Sequence, residues 1–262
     1  VVAAVLAGSV LSSLFAGMLA EWLGRKKVII ISALLFTLSI PVICFSSGIF
    51  ALLMAGRILQ GASAGLVGVV VPMYLAECLD SLVNQTLKDI EIICVNDASP
   101  DKSKDIAEQY AMRDSRVRVV SHVKNQGLGP ARNTGVENAT ASYIMFVDSD
   151  DVVTTNMAEK LYSDMISKPV DMVWCNIGAI SDDSTMRKKG SDIPTGVFSP
   201  TDILADSQLY QILLPSWNKL YKKELICDVK QMPIVSEDQP FLAVVLGRCE
   251  RISVIADTLY YY

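Results

Sequence analysis

Three apolar stretches open the chain. Val1 to Ala20 carries only small hydroxyls and glycines among its apolar side chains and ends at Glu21-Trp22. Val28 to Phe50 has no charge, and Ala51 to Tyr74 is interrupted only by Arg57 and Gln60. Each is close to the roughly twenty residues that a helix needs to cross a hydrocarbon core. Three such runs with short connectors predict spanning helices in place of one buried core helix, and a cleaved signal peptide would be a single short run.

From Cys78 the pattern shortens into alternating strand-like and amphipathic stretches. Strands are expected at Ile90 to Val95, Val117 to Ser121, Tyr143 to Val147 and Met172 to Asn176, with closing strands at Arg251 to Ile255 and Leu259 to Tyr262. Helices are expected at Ser103 to Arg113, with Ser99, Asp101 and Ser103 as cap candidates, and at Pro130 to Ala139, with proline in its first turn. Others are expected at Met157 to Ile166, Thr201 to Leu213, near Glu224 and at Gln239 to Gly247, while polar Ser181 to Thr195 reads as a loop. Strands alternating with helices predict a parallel or mixed sheet covered on both faces.

Composition supports the division. The 262 residues are 51% hydrophobic and 19% charged, with a mean hydropathy of +0.37. Up to Glu77 there are four basic residues (Arg25, Lys26, Lys27, Arg57) and two acidic ones, a net +2; the rest holds 19 of the 23 basic and 26 of the 28 acidic side chains, a net −7. A single uniform domain is excluded. With a pI near 5.0 and no basic stripe, an ordinary nucleic-acid binder is excluded as well. The six cysteines form no CxxC pair, so neither a zinc site nor a disulfide framework is signalled. The cations of Gly24-Arg25-Lys26-Lys27 stay on the cytoplasmic side in a short loop, which puts everything after Glu77 in the cytoplasm.

Within the first segment, Gly17, Glu21, Gly24, Arg25 and Lys26 resemble the loop motif between the second and third helices of major facilitator transporters, with Glu21 in place of the usual aspartate. Arg57, Gly61, Gly65 and Pro72-Met73-Tyr74-Leu75-Ala76-Glu77 resemble the fourth helix of the sugar-porter branch. Spaced glycines allow close helix packing. The resemblance implies a cavity built from about a dozen helices, so three do not make a transporter.

In α/β sheets chemistry gathers at the carboxyl ends of strands. Asn96-Asp97 ends one expected strand and Asp148-Ser149-Asp150-Asp151 another. Strand alternation would point Asp148 and Asp150 the same way, and paired carboxylates are hard ligands for Mg²⁺ or Mn²⁺. Acidic residues after strands also serve as turn formers and helix caps.

The stretch from Leu79 to Thr86, then Val95-Asn96-Asp97-Ala98-Ser99, resembles the opening of family 2 glycosyltransferases. Further resemblance lies in Asn125-Gln126-Gly127-Leu128-Gly129-Pro130-Ala131-Arg132-Asn133, Phe146-Val147-Asp148-Ser149-Asp150-Asp151, Trp217-Asn218-Lys219-Leu220-Tyr221 and Ser236-Glu237-Asp238-Gln239-Pro240-Phe241. The five motifs stand in the family's order over Cys78 to Tyr262. The resemblance implies an α/β GT-A domain behind an all-α transmembrane segment of two to three helices. It implies a nucleotide-diphospho-sugar donor such as a UDP-sugar, a saccharide or lipid-linked acceptor, and Mn²⁺ or Mg²⁺.

By the same resemblance, Asp97 contacts the nucleobase, Asp148 lies by the ribose, and Asp150 coordinates the metal with Asp148. Arg132 and Asn133 hold the donor, and Asp238 is the general base, with Glu237 as its alternate. Trp217 forms an acceptor wall or a core contact. His122 is read as a structural or surface residue, and Arg187-Lys188-Lys189 as a solvated loop face.

The join departs from the family, which begins with a strand. Residues 67–74 supply that strand or continue a membrane helix, and they do not comfortably do both. The chain also starts without methionine and stops inside an expected strand, which points to a fusion or a fragment. The expected function is a membrane-tethered, cytosol-facing glycosyltransferase; the alternatives are a transporter fragment or an inactive fusion.

Overall fold

The computed structural model describes residues 2–180, 186–188 and 193–262, apart from the side chains of 186–188 and 211–213. The chain forms two compact units that divide between Tyr74 and Leu75.

The first unit holds α1 (Val2–Leu23), α2 (Arg25–Cys44) and α3 (Phe50–Val83) as far as Tyr74. All three are long and apolar enough to cross a membrane. Small residues bring them together. A Cβ on Gly61 would stand 2.0 Å from the Val5 carbonyl oxygen, and one on Gly65 2.3 Å from that of Ser9. Only glycine lets α1 and α3 approach so closely. Ser32 of α2 donates to the Ser63 carbonyl of α3 at 3.0 Å. Large apolar side chains such as Leu14, Phe15 and Trp22 face outward, as expected where the solvent is lipid.

The expected cationic loop is absent. Gly24 alone, at φ 85°, breaks the chain, and Arg25, Lys26 and Lys27 already form the first turn of α2. Glycine supplies the left-handed conformation, and one residue suffices to separate two helices. Arg25 stacks over Tyr74, 5.3 Å from the ring centre. Glu21 is exposed, and a Cβ on Gly17 would meet nothing within 4 Å. The second span ends early, at Cys44, three residues after Pro41. The third runs on to Val83, so residues 67–74 are helical throughout, with Pro72 inside the helix.

The second unit takes in residues 75–83 of α3, then β1 (Ile92–Asn96), α4 (Ser103–Arg113), β2 (Val117–Ser121), α5 (Leu128–Asn138), β3 (Tyr143–Met145), β4 (Val152–Val153) and α6 (Met157–Ser167). It continues through β5 (Met172–Ile180), β6 (Met186–Lys188), β7 (Gly196–Phe198), α7 (Pro200–Ala205), α8 (Ser207–Leu213) and β8 (Lys219–Lys222). The last elements are α9 (Lys223–Ile226), α10 (Asp238–Arg248) and β9 (Ile252–Tyr261).

Seven strands form a mixed sheet with the path β3-β8-β5-β9-β4, to which β6 and β7 add at β5 and β9. Successive residues of β5 serve opposite layers. Met172 and Trp174 join Phe241, Leu242, Val245 and Leu246 of α10, whereas Val173 and Cys175 join Met157, Leu161 and Met165 of α6. That two-sided burial explains why the strand reads as an unbroken apolar run.

β1 and β2 stand apart as a parallel pair. Among the described residues no strand joins this pair to β3, because 67–74 is spent in α3. Glu91 and the chain before β3 bridge the starts of the two sheets, the Glu91 carboxylate accepting from the Thr140 and Ala141 N–H groups at 2.6 and 2.8 Å.

Other expectations shift locally. The two closing strands are one, β9, whose pairing with β5 slips register between Trp174 and Ile177. The helix expected at Thr201 to Leu213 splits at Asp206, whose carboxylate caps α8 through the Gln208 and Leu209 N–H groups. Part of the Ser181 to Thr195 loop is strand: β6, which includes Arg187 and Lys188, pairs with β5, while Lys189 lies outside the described residues. The side chains named as caps for α4 do not cap it, although the Asp101 carboxylate accepts from the Ser103 N–H.

Candidate active site

Arg132 is the hub. It projects from α5 and is 7% exposed, and its guanidinium spends both amino groups on acidic residues from two segments and on Gln231 from a third. Nη2 donates to Asp148 Oδ1 at 2.8 Å. Nη1 donates to Glu237 Oε1 at 2.9 Å, Asp238 Oδ1 at 2.6 Å and Gln231 Oε1 at 3.3 Å. A planar fork of donors suits such convergence better than an ammonium would. Motifs separated by as many as 106 residues thus meet at one side chain.

The turn that carries the acidic run differs from the expected strand end. β3 stops at Met145, and the Asp151 N–H donates to the Asp148 carbonyl at 3.2 Å. Strand alternation therefore does not orient Asp148 and Asp150; a turn does. The Asp148 N–H donates to Tyr260 Oη at 3.0 Å, and that hydroxyl donates to Asp151 Oδ2 at 2.6 Å. Burial raises the Asp148 carboxyl above the ordinary range; Arg132 opposes this and the Asp150 charge adds to it. Burial likewise lifts Asp151 to about 7 against the Tyr260 hydrogen bond.

Asp150 is exposed. Among the described residues no three His, Cys, Asp or Glu side chains form a metal cage. The turn nevertheless fits Mg²⁺ or Mn²⁺, since these ions are held by one or two carboxylates plus substrate phosphates. The mutual repulsion of Asp148 and Asp150 is what a shared cation relieves.

Asp238 opens α10, where an acidic side chain complements the helix dipole. It lines a cleft of about 340 Å³ with Trp217, Leu214, Pro215, Ile177, Ser236, Gln239 and Tyr262. Glu237 is turned onto Arg132, is buried, and does not line the cleft. Trp217 stacks on Tyr260 with ring centres 4.2 Å apart, and its side chain also lines the cleft.

Asp97 lies at the end of β1 and is committed to a loop. Its oxygens accept from the N–H groups of Gln126 and Gly127 at 2.9 and 2.7 Å and meet His122 Nδ1 at 2.6 Å. Burial alone would raise this carboxyl, but His122 and those N–H groups hold it below the usual range. His122 Nε2 meets Thr134 Oγ1 of α5 at 2.8 Å, so His122 is a structural bridge.

Asn133 is similarly spent within the protein. It exchanges two hydrogen bonds with the backbone of Gln231, at 2.8 and 2.9 Å. A Cβ on Gly129 would stand 2.4 Å from the Met232 carbonyl, so the glycine seats the same loop on α5. Gln231 and Tyr260 have no local signal in the sequence, since their partners lie 99 and 109 residues away.

The family model described as "Glycosyl transferase family 2" matches residues 70–227. The chain belongs to that family. A second model, "Sugar (and other) transporter", matches residues 1–79, so both claim residues 70–79.

The "Uncharacterized glycosyltransferase EpsJ" of Bacillus subtilis is 37% identical over 213 residues, 75% of this chain and 60% of that protein. The "Poly(ribitol-phosphate) beta-glucosyltransferase" of Bacillus spizizenii is 35% identical over 211 residues, 75% of this chain and 32% of that protein. This member of the family therefore spans from about a third to three fifths of the length of these relatives. A crystal structure of S. aureus TarS in complex with UDP superposes with a TM-score of 0.59 at 24% identity, over 73% of this chain and 57% of that one. The fold of the second unit is thus GT-A.

Proposed function

We propose that the chain transfers a sugar from a nucleotide-diphosphate donor to an acceptor hydroxyl, with inversion at the anomeric carbon. Residues 78–262 carry the catalysis and residues 1–77 tether them to the cytoplasmic face of a membrane by several spans. The observation that carries this reading is the convergence of the Asp148, Arg132 and Asp238 motifs on one guanidinium.

In this reading Asp238 accepts the proton of the attacking acceptor hydroxyl within the Trp217-lined cleft. Its partner Arg132 orients the carboxylate. Arg132 and Asp148 frame the donor side, with Asn133 acting through the Gln231 loop and Asp97 through the Asn125–Gly127 loop. A Mg²⁺ or Mn²⁺ on Asp150 and Asp148 would neutralise the diphosphate as it leaves. TarS has been crystallised with UDP and with UDP-GlcNAc, which makes UDP-GlcNAc the first donor to try; the acceptor is a saccharide or lipid-linked hydroxyl.

The test is release of UDP from UDP-GlcNAc with and without Mn²⁺, for the wild type, Asp150→Ala and Asp238→Asn. Metal-dependent release that falls on the order of a hundredfold or more in Asp238→Asn is expected. One observation favours a second reading, an inactive fusion: the gap between β1 and β3 opens the sheet on the side of Asp97. Failure of the wild type to bind UDP would select it.

A further inference from the structure

Lys219 is fully buried, although a lysine head is costly to remove from water. It is the first residue of β8, a strand inside the seven-stranded sheet. Its Nζ reaches back to the Pro215 carbonyl and to Asn218 Oδ1, and lies 4.8 Å from the centre of the Trp174 ring. Two positions on, Tyr221 shares that face of the strand. Its hydroxyl donates to the Ser216 carbonyl at 2.9 Å.

Asn218 is fixed from the other side, donating to the Cys175 carbonyl at 2.9 Å while its own carbonyl accepts from the Cys175 N–H at 3.1 Å. The four residues Pro215 to Asn218 are therefore held from beneath by Lys219 and Tyr221 and from the side by β5. Two of them, Pro215 and Trp217, line the same cleft as Asp238. The Asp238 charge also reaches both Lys219 and Tyr221.

We propose that Lys219 is a positioning residue, whose buried ammonium holds the Pro215 carbonyl and thereby sets the wall that carries Trp217 in the cleft that Asp238 also lines. The proposal rests on the reading of that cleft as the place where an acceptor meets Asp238. An apolar side chain of similar length would fill the space and leave the Pro215 carbonyl without its donor. Charge matters in addition to reach, because a hydrogen bond from a cation is about twice as strong as a neutral one. Burial depresses the Lys219 ammonium to about 7, while the charges of Cys175 and Asp238 oppose the fall. Opening of the segment returns the lysine to water and takes up a proton, so opening becomes less favourable as the pH rises above 7.

The test uses the full chain in detergent micelles as wild type, Lys219→Met and Lys219→Arg. Amide exchange is read by mass spectrometry, and UDP release from UDP-GlcNAc, with water as acceptor, is read alongside. Lys219→Met should speed exchange over residues 214–218 on the order of tenfold, leave β9 and α6 at wild-type rates, and lower kcat with the donor KM unchanged. Lys219→Arg should restore slow exchange. In the wild type alone, exchange over 214–218, corrected for its intrinsic pH dependence, should slow between pH 6 and pH 9, because opening the segment takes up a proton at Lys219, and should not slow in Lys219→Arg.

Equal exchange over 214–218 in all three proteins would overturn the proposal, as would a loss spread evenly over β5 and β9. If Lys219→Met does not fold, the pH comparison between wild type and Lys219→Arg decides. A wild type that releases no UDP would count against the transferase reading and leave the exchange result to judge Lys219.

Discussion

The two sheets of the second unit are held in different ways. The seven-stranded sheet lies between α6 and α10, with apolar side chains on both faces. The β1–β2 pair has one ladder, packs Ile93 against the main core, and adds side-chain ties: Asp97 to the Asn125–Gly127 loop, His122 to Thr134, and Glu91 to the chain before β3. Both sheets send ties to α5, where Thr134 serves the pair and Arg132 serves the large sheet. α5 thus couples two bodies that, among the described residues, no shared strand unites. A missing strand is replaced by polar contacts that are individually worth about 1–3 kcal/mol.

Arg132 is the contact whose loss should disturb the second unit most. Arg132→Ala leaves Asp148, Glu237 and Asp238 without their shared cation, and loss of one partner from a buried charge network costs about 3–5 kcal/mol. Urea unfolding followed by tryptophan fluorescence should show that loss, with UDP release abolished. Arg132→Lys should recover part of the stability and little of the activity, since one ammonium does not reproduce the fork.

Asp97→Ala tests the other body. It removes the acceptor for two N–H groups and for His122, with an expected cost of about 1–3 kcal/mol. Its signature is local: amide exchange should quicken in β1, β2 and residues 125–127 and stay slow in β5. Even in the wild type, amides of β1 should exchange faster than those of β5, because a two-stranded ladder opens more readily than a central strand. Equal protection in the two strands would show that the missing strand carries no energetic consequence.

A further expected effect is a pH slope. The Lys219 ammonium is depressed from its ordinary 10.5 to about 7 in the folded protein, mainly by burial. Between those values the unfolded chain binds more protons than the folded one, so this residue's contribution to stability grows as the pH rises and is lost as the pH falls towards 7. Urea midpoints of the wild type relative to Lys219→Met should therefore rise between pH 7.5 and pH 9.5. A flat difference would mean that the lysine is not depressed.

The three apolar helices, the order of the main strands and helices, and the five transferase motifs were legible in the sequence because each is written in neighbouring residues. Where expectation slipped, a longer-range contact had the deciding voice. Asp148 and Asp150 looked like a strand end until the turn closed by Asp151 separated them from β3. The Asn133 and Asp97 side chains also reach the Gln231 and Asn125–Gly127 loops, contacts far along the chain that no neighbouring residue announces. Residues 67–71, Val-Gly-Val-Val-Val, have strand composition, but they stand in one continuous helix with the apolar residues before them. A run of backbone hydrogen bonds already begun costs little to extend.

The sequence by itself determined that an apolar helical segment is joined to a strand-and-helix domain with paired acidic motifs, since period and composition are local properties. Only the tertiary structure decided that Arg132 gathers the acidic residues, that Asp238 and not Glu237 faces the cleft, and that the sheet is split. Those outcomes depend on which side chains far apart in the chain come within hydrogen-bond reach, and no local period encodes that distance.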